Sequence, residues 1–383
     1  MKTVESDVYG RRLGKRLLGY GAWLSLLMAT ACDVHEFPED GPPAPPAAEE
    51  PVCVIDLHFL TGDMPLYTTV VYDPSSPGGL QPRGNVDRSY DFRYSVDIYS
   101  MSSSGSRGES GSLFRSMVLT ASDIEDLDKS VETRLPAGDY KVLVWGDYVA
   151  GGGESDLYYD TSDFRHISLV SRDDGCHPGN REARDAFRGE APLTVAAPDG
   201  GQGGGHAYVE MKRPLARFGF VTTDVGEFLS RREGGNLSGP LPARPEGVTA
   251  ALGDYRIVVR YTGYMPSVYN AVTDKPIDSS VGRWFDGVVK GLDTSTAELA
   301  FDYVFVNGSQ TSVQVALDVY SRHDNTKIAS TVPIEVPVVR GKLTEIRGPF
   351  LTSEAAGGVG IHPGFATRPV KRGFPKTGKP LLS

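Results

Sequence analysis

The 383-residue sequence lacks the motifs of the common hydrolases. Its seven histidines are scattered, and it contains neither an H-E-x-x-H metal site nor a G-x-S-x-G nucleophile elbow. Adjacent acids, such as Glu125 and Asp126, lie in polar stretches, where solvated carboxylates are expected. The glycine runs lack the lysine and hydroxyl residues that complete a phosphate-binding loop. These absences predict a protein that is not an enzyme and that holds no cofactor.

Cysteine is scarce as well, with three residues in the whole chain. Cys32 follows an apolar segment near the N-terminus, which leaves Cys53 and Cys176 for a structural role. These two thiols are far apart in sequence, and their spacing leaves open whether they form a disulfide. Cys176 adjoins His177, but no second pair of residues has the spacing of a zinc site. We therefore expect no metal site. Whether Cys53 and Cys176 form a disulfide stays open.

No apolar run is long enough to cross a bilayer, because residues 17–31 fall short of the roughly 20 residues that a spanning helix needs. Four basic residues between positions 11 and 16 precede this run, and Cys32 follows it directly. This order, with small residues just before the cysteine, is typical of a lipoprotein signal peptide. It predicts that residues 1–31 are removed and that Cys32 carries the lipid. An uncleaved anchor is the alternative, although no further apolar residues follow Cys32.

Residues 32–51 form the predicted tether between the lipid and the folded protein. Acidic residues dominate positions 33–40, and proline, alanine and glutamate dominate positions 41–51, a composition that favours an extended, solvated linker. An acidic stretch after a lipidated cysteine resembles the export signal of Bacteroidetes lipoproteins. The resemblance implies anchoring in the outer membrane with the protein facing the cell exterior. A plain linker and a periplasmic location are the alternative.

Positive charge is also in the minority. The net charge of the chain is −10, and removal of residues 1–31, which hold five Lys and Arg against Glu5 and Asp7, leaves the remainder more acidic still. Nucleic acids and anionic lipid surfaces repel such a protein. The composition therefore excludes both as the main partner.

The rest of the sequence is typical of β structure, with 45 glycines and 27 prolines to form turns. Short patterned segments predict strands at residues 52–59, 92–99, 113–119, 140–144, 164–170, 207–211, 255–261, 298–306, 312–320, 327–335 and 343–350, and another that begins near Leu215. Two short helices are predicted, one after a capping box at Ser122 and one from Asp224 to Ser230. Strands at this spacing, without alternating helices, indicate an all-β fold of two tandem antiparallel β-sandwiches with few short helices. The predicted domains are residues 52–212 and 213–352.

Five segments of the mature chain carry a family resemblance. They are LPAGDYKVLVWGDY (135–148), YYDTSDF (158–164), RPLARFGFVTTD (213–224), YRIVVRYTGYMPSVYN (255–270) and GKLTEIRGPFLTS (341–353). In this order they resemble the Bacteroidetes lipoproteins that serve as fimbrial anchor and accessory subunits of type V pili. The resemblance implies two transthyretin-like domains, an outer-membrane lipid anchor and fimbrial subunits as partners.

One tyrosine-rich segment is interpreted as a candidate contact surface. Tyr261, Tyr264 and Tyr269 lie where a glycine and a proline interrupt a strand, and Trp284 follows in the same region. Amphipathic rings exposed together would suit a sugar or a protein partner. This reading predicts the alternative function, a surface lipoprotein that binds a glycan or a host ligand. Burial of the tyrosines at strand ends is the competing interpretation.

The C-terminal segment is basic, unlike the rest of the chain. Residues 366–383 contain five Lys and Arg and no acid. Three prolines in this segment lack the amide donor that a sheet requires, so the segment is predicted to be a poor donor strand for subunit assembly. We expect a flexible basic tail over residues 353–383.

Overall fold

The computed structural model describes residues 50–59, 89–101, 111–122, 127–197, 203–232 and 243–353, together with the backbone of 364–369. The predicted signal peptide, Cys32 and nearly all of the tether lie outside these residues, as does the helix expected after Ser122. Within the described part, strands dominate and there are two short α-helices. None of the helices in this part is long and apolar enough to cross a membrane.

The first region, residues 50–211, forms two facing sheets. Its strands are β1 (Val52–Phe59), β2 (Tyr90–Ser100), β3 (Ser112–Ala121), β4 (Lys129–Arg134), β5 (Gly138–Ala150), β6 (Tyr159–Asp160), β7 (Ile167–Leu169), β8 (Ala186–Val195) and β9 (Gly204–Met211). One sheet has the order β4-β1-β9 and the other β3-β2-β5-β8. Phe59 of β1 meets Phe92 and Phe187 of the opposite sheet edge to face, with ring centroids 5.8 and 5.1 Å apart. Alternation along the strands thus turns one apolar side of each sheet into a common core.

The second region, residues 213–353 with the strand 364–369, repeats this arrangement. Its elements are β10 (Leu215–Thr222), α1 (Val225–Arg232), α2 (Pro245–Ala251), β11 (Tyr255–Tyr261), β12 (Met265–Asn270), β13 (Lys275–Ser280), β14 (Trp284–Asp286), β15 (Lys290–Gly291), β16 (Ala297–Phe305), β17 (Gln310–Ser321), β18 (Lys327–Ser330), β19 (Ile334–Val339), β20 (Lys342–Gly348) and β21 (Gly364–Pro369). One sheet has the order β15-β16-β10-β20-β21, and the other is β14-β11-β17-β18 with β19 also paired to β17. Phe218 of β10 packs edge to face on Tyr261 of β11 across the two sheets.

A further sheet, β13-β12-β7-β6, joins the two regions, because β7 belongs to the first and β12 to the second. Behind it, Trp145 of β5 is fully buried, 6.0 Å from the ring of Tyr269 and 6.5 Å from that of Phe305. Residues 212–214 lie between β9 and β10, at the predicted boundary. A division into separate domains there stays a prediction, and the two regions share one hydrophobic core.

The predicted all-β fold is confirmed, and most pairs of neighbouring strands are antiparallel. Two pairs, β1 with β9 and β10 with β20, are parallel. The single strand expected at 327–335 is instead β18 and β19, both paired with β17. Pro333 lies between them and lacks the amide hydrogen that would continue one ladder.

The expectation of a flexible tail over residues 353–383 is wrong at residues 364–369. These residues form β21, which pairs antiparallel with β20 from Gly364 opposite Arg347 to Pro369 opposite Lys342. A proline is tolerated there because it ends an edge strand, and an edge strand hydrogen-bonds on one side only. The other two prolines of the segment lie beyond residue 369, outside the described residues.

Candidate functional site

Asp302, on β16, lies at the contact between the two regions. Its carboxylate is 2.7 Å from His177 Nε2 and accepts a 2.7 Å hydrogen bond from the Tyr261 hydroxyl. The guanidinium of Arg184 contacts the other carboxylate oxygen. His177 and Arg184 belong to the first region, so side chains from both regions meet at one carboxylate. We call these four residues the Asp302 cluster.

The protonation states of Asp302 and Tyr261 indicate a structural role for the Asp302 cluster. Burial raises the pKa of Asp302, but Arg184 and His177 outweigh this effect and hold the pKa below the ordinary value of 3.8. Burial and the neighbouring carboxylate raise the pKa of Tyr261 far above its ordinary range. Asp302 therefore stays ionised and Tyr261 stays protonated at neutral pH. The cluster therefore joins the two regions through an ionised carboxylate and a protonated hydroxyl.

The structure separates the four aromatic residues that the sequence groups together. Tyr261 and Tyr269 are 3% and 0% exposed, so the expectation of an exposed surface is wrong for both. The ring of Tyr269 stacks on Phe305 with centroids 5.0 Å apart, and its hydroxyl donates to Asp274. Burial of each tyrosine is tolerated because its hydroxyl donates to a carboxylate, Asp302 for Tyr261 and Asp274 for Tyr269.

Trp284 and Tyr264 differ from this pair and from each other. Trp284 is partly buried: its Nε1 donates to the Asp174 carbonyl at 3.1 Å, and the Arg256 guanidinium lies over its ring. It therefore fastens the loop at residues 172–176 to β14. Tyr264, in the turn between β11 and β12, is 74% exposed. No shared aromatic surface results from these positions.

Both cysteines of the described residues are free thiols. Cys53 is buried on β1, and burial raises its pKa. Cys176 lies in the loop beside β14, where it forms a β-bridge with Trp284. In the same part of the chain, no three His, Cys, Asp or Glu side chains are grouped as a metal site requires.

Among the described strands, β3 is an edge strand that carries large exposed apolar side chains. It pairs with β2 on one side, and no described strand pairs with its other side. Leu113, Phe114 and Val118 are 52%, 43% and 49% exposed along it. Phe114 is held in place edge to face against Tyr140, 5.5 Å away. The pairing with β2 is regular from Arg115 to Ala121 and irregular at Phe114, and the regular part is a template for another strand.

The sequence predicts β3 as a strand but does not identify it as an edge. The alternation over residues 113–119 marks a half-buried strand, whereas strand order depends on pairing with β2, which is set by the whole fold. Valine and phenylalanine on the solvent side are the available signal, because core packing does not require them there.

A family model matches most of the chain. The model of a family of unknown function, DUF6562, matches residues 66–373. The chain belongs to this family. No curated protein matches this DUF6562 member.

Solved structures with a similar fold include two fimbrial proteins of Porphyromonas gingivalis. The fimbrial anchor protein Mfa2 is 13% identical, with 77% of this chain and 90% of that chain covered and a TM-score of 0.38. The tip fimbrial protein Mfa3, truncated at its C-terminus, is 9% identical, with 83% and 100% covered and a TM-score of 0.33. Both belong to the class of protein that the five sequence segments resemble. At these TM-scores the likeness carries no inference about what this chain binds.

Proposed function

We propose that this chain is a non-catalytic lipoprotein, anchored in the outer membrane through Cys32 and facing the cell exterior, that acts as a fimbrial anchor or accessory subunit. The order of basic residues, apolar run and cysteine supports the anchor, and the five family-like segments support the fimbrial role. The observation that carries the proposal is the open apolar edge of β3. Fimbrial subunits are the partners, and the acidic tether spaces the folded part from the membrane.

An added strand would gain two kinds of interaction at β3. Its backbone would satisfy the amide and carbonyl groups on the free side of the strand. Its side chains would cover Leu113, Phe114 and Val118, and full burial of an apolar side chain contributes about 1.5–3 kcal/mol. Because Phe114 is already packed against Tyr140, little side-chain entropy is lost on binding. The edge thus suits a stable contact with a neighbouring subunit.

The experiment is co-purification of the fimbrial shaft with tagged full-length protein from cell envelopes. Val118→Lys places a charge on the edge without disturbing the core, and we expect it to reduce shaft recovery at least about tenfold. Val288→Lys is the matched control, because Val288 is 62% exposed and lies outside the strands. We expect the control to recover as much shaft as the wild type. Equal recovery with Val118→Lys would argue against β3 as the contact.

A second variant tests the anchor independently. Cys32→Ala removes the thiol that is predicted to carry the lipid, so the protein should be absent from the outer-membrane fraction, although the uncut residues 1–31 retain it in the inner membrane. Protease treatment of intact cells should release the wild-type folded part, since the proposed location is external. Recovery of Cys32→Ala in the outer-membrane fraction, or full protection of the wild type from protease, would contradict this part of the proposal.

A further inference from the structure

The outer side of the β4-β1-β9 sheet carries a group of polar side chains around one exposed tyrosine. Strand register places Tyr208 of β9 opposite Asp56 of β1, and Asp56 opposite Ser130 of β4. The next row along the sheet has Glu210 opposite His58. We call these five residues, with His206, Asp128 and Glu132, the β1 face.

Tyr208 is presented to solvent by the strand itself. Its neighbours Ala207 and Val209 are 2% and 0% exposed, whereas Tyr208 is 66% exposed. Alternation along β9 therefore places the first two in the core and the tyrosine outside. The ring of His206 lies 4.2 Å from that of Tyr208, centroid to centroid, and limits its rotation. The ring is thus accessible to a ligand on the outer side of the sheet.

The carboxylates beside Tyr208 are held in defined positions. His206 Nε2 lies 2.7 Å from Asp56 Oδ2, and His58 Nδ1 lies 3.0 Å from Asp128 Oδ2. Asp128 also accepts a 3.1 Å hydrogen bond from the Phe59 amide. Hydrogen bonds from Ser130 and His206 hold the pKa of Asp56 below its ordinary value. Carboxylate oxygens with remaining acceptor capacity thus lie on the same side of the sheet as the ring.

This combination has a specific chemistry. The C–H face of a sugar ring packs on an aromatic side chain, and sugar hydroxyls donate hydrogen bonds to carboxylates. Lys212 lies 3.1 Å from Glu210, but the four acids Asp56, Asp128, Glu132 and Glu210 leave the β1 face negative, so uronic acids, sialic acids and sulfated sugars would be repelled. We propose that the β1 face binds a neutral glycan, with Tyr208 as the stacking platform and Asp56 and Glu210 as hydrogen-bond acceptors. This activity goes beyond the fimbrial role and does not depend on it.

The test uses the full mature chain made soluble by Cys32→Ser, with its affinity for polysaccharides measured by gel retardation. The probes are dextran, a mannan and a galactan as neutral polymers, and polygalacturonate as the acidic one. We expect retardation by at least one neutral polymer and none by polygalacturonate. Tyr208→Ala should weaken the binding at least about tenfold, whereas Tyr208→Phe keeps the ring and should stay within about twofold.

The control is Tyr264→Ala, which removes an equally exposed tyrosine of the second region and should bind as the wild type does. Circular dichroism and thermal melting establish that each variant is folded. Absence of retardation by all three neutral polymers overturns the inference, as does wild-type binding by Tyr208→Ala or preferred binding of polygalacturonate. Shaft recovery by Tyr208→Ala should be normal, which separates this inference from the fimbrial proposal.

Discussion

Two histidine–aspartate pairs in this protein have the same separation and opposite surroundings. His177 and Asp302 are 2.7 Å apart with side chains 0% and 1% exposed. His206 and Asp56 are also 2.7 Å apart, but they are 40% and 26% exposed. The first pair lies at the contact between two regions, and the second lies on the outer side of a sheet. The two pairs differ in burial, and this difference determines whether a histidine–aspartate pair stabilises the fold or is accessible to a ligand.

A buried pair is strongly coupled to the fold. Removal of two charges from water is unfavourable, and attraction offsets this only if the remaining hydrogen-bonding groups are also satisfied. In the Asp302 cluster, Tyr261 and Arg184 complete the carboxylate's contacts, whereas His177 Nδ1 and Arg184 Nε have no hydrogen-bond partner among the described residues. Water screens the exposed pair, so its members can exchange partners at little expense in stability. Residues of the second kind are available for binding.

The largest expected effect follows from breaking the buried pair. Asp302→Asn removes the charge that balances Arg184, which is itself almost fully buried. We expect a loss of about 3–5 kcal/mol in the free energy of unfolding, measured by urea titration. Asp56→Asn is the matched change in the exposed pair, and we expect a much smaller loss from it, because water screens that pair. Similar losses from both variants would remove the distinction between the two pairs.

The Asp302 cluster also predicts that the protein loses stability at acid pH. The pKa of Asp302 in the folded protein is below 3.8, its ordinary value, so the folded state binds this proton less readily than the unfolded state. Its contribution is therefore fully present above that value and is lost as pH falls through the folded pKa. Urea midpoints measured between pH 5 and about 2 should fall more steeply for the wild type than for Asp302→Asn. Parallel curves would show that Asp302 carries no such contribution.

The sequence predicts those features of the fold that depend on residues within one segment. Strands β1 and β11 have the predicted bounds, because alternation within each segment determines them. The pairing of β21 with β20 is not predicted, because the prolines of the C-terminal segment argue against a strand and only the ladder with β20 shows that Pro369 can end one.

The candidate sites show the same limit. Tyr261 is buried because Asp302 and His177 converge on it from elsewhere in the chain, which the tyrosine-rich pattern does not reveal. Tyr208 lies in a predicted strand, but no pattern in the sequence marks it as a contact residue. Its neighbours on the β1 face come from β1 and β4, and the register that unites them depends on the completed sheet.

The smallest expected effect concerns the exposed pair and is electrostatic. Ser130 and His206 both lower the pKa of Asp56 by hydrogen bonding to its carboxylate. His206→Ala removes one of these bonds, so the pKa of Asp56 should rise toward 3.8, and by linkage the unfolding midpoint in urea at neutral pH should fall slightly. Carbon-detected NMR titration of the Asp56 carboxyl measures the shift, and His58→Ala, which removes a weaker influence, should move it less. If His206→Ala destabilises the protein as much as Asp302→Asn does, burial does not distinguish the two pairs.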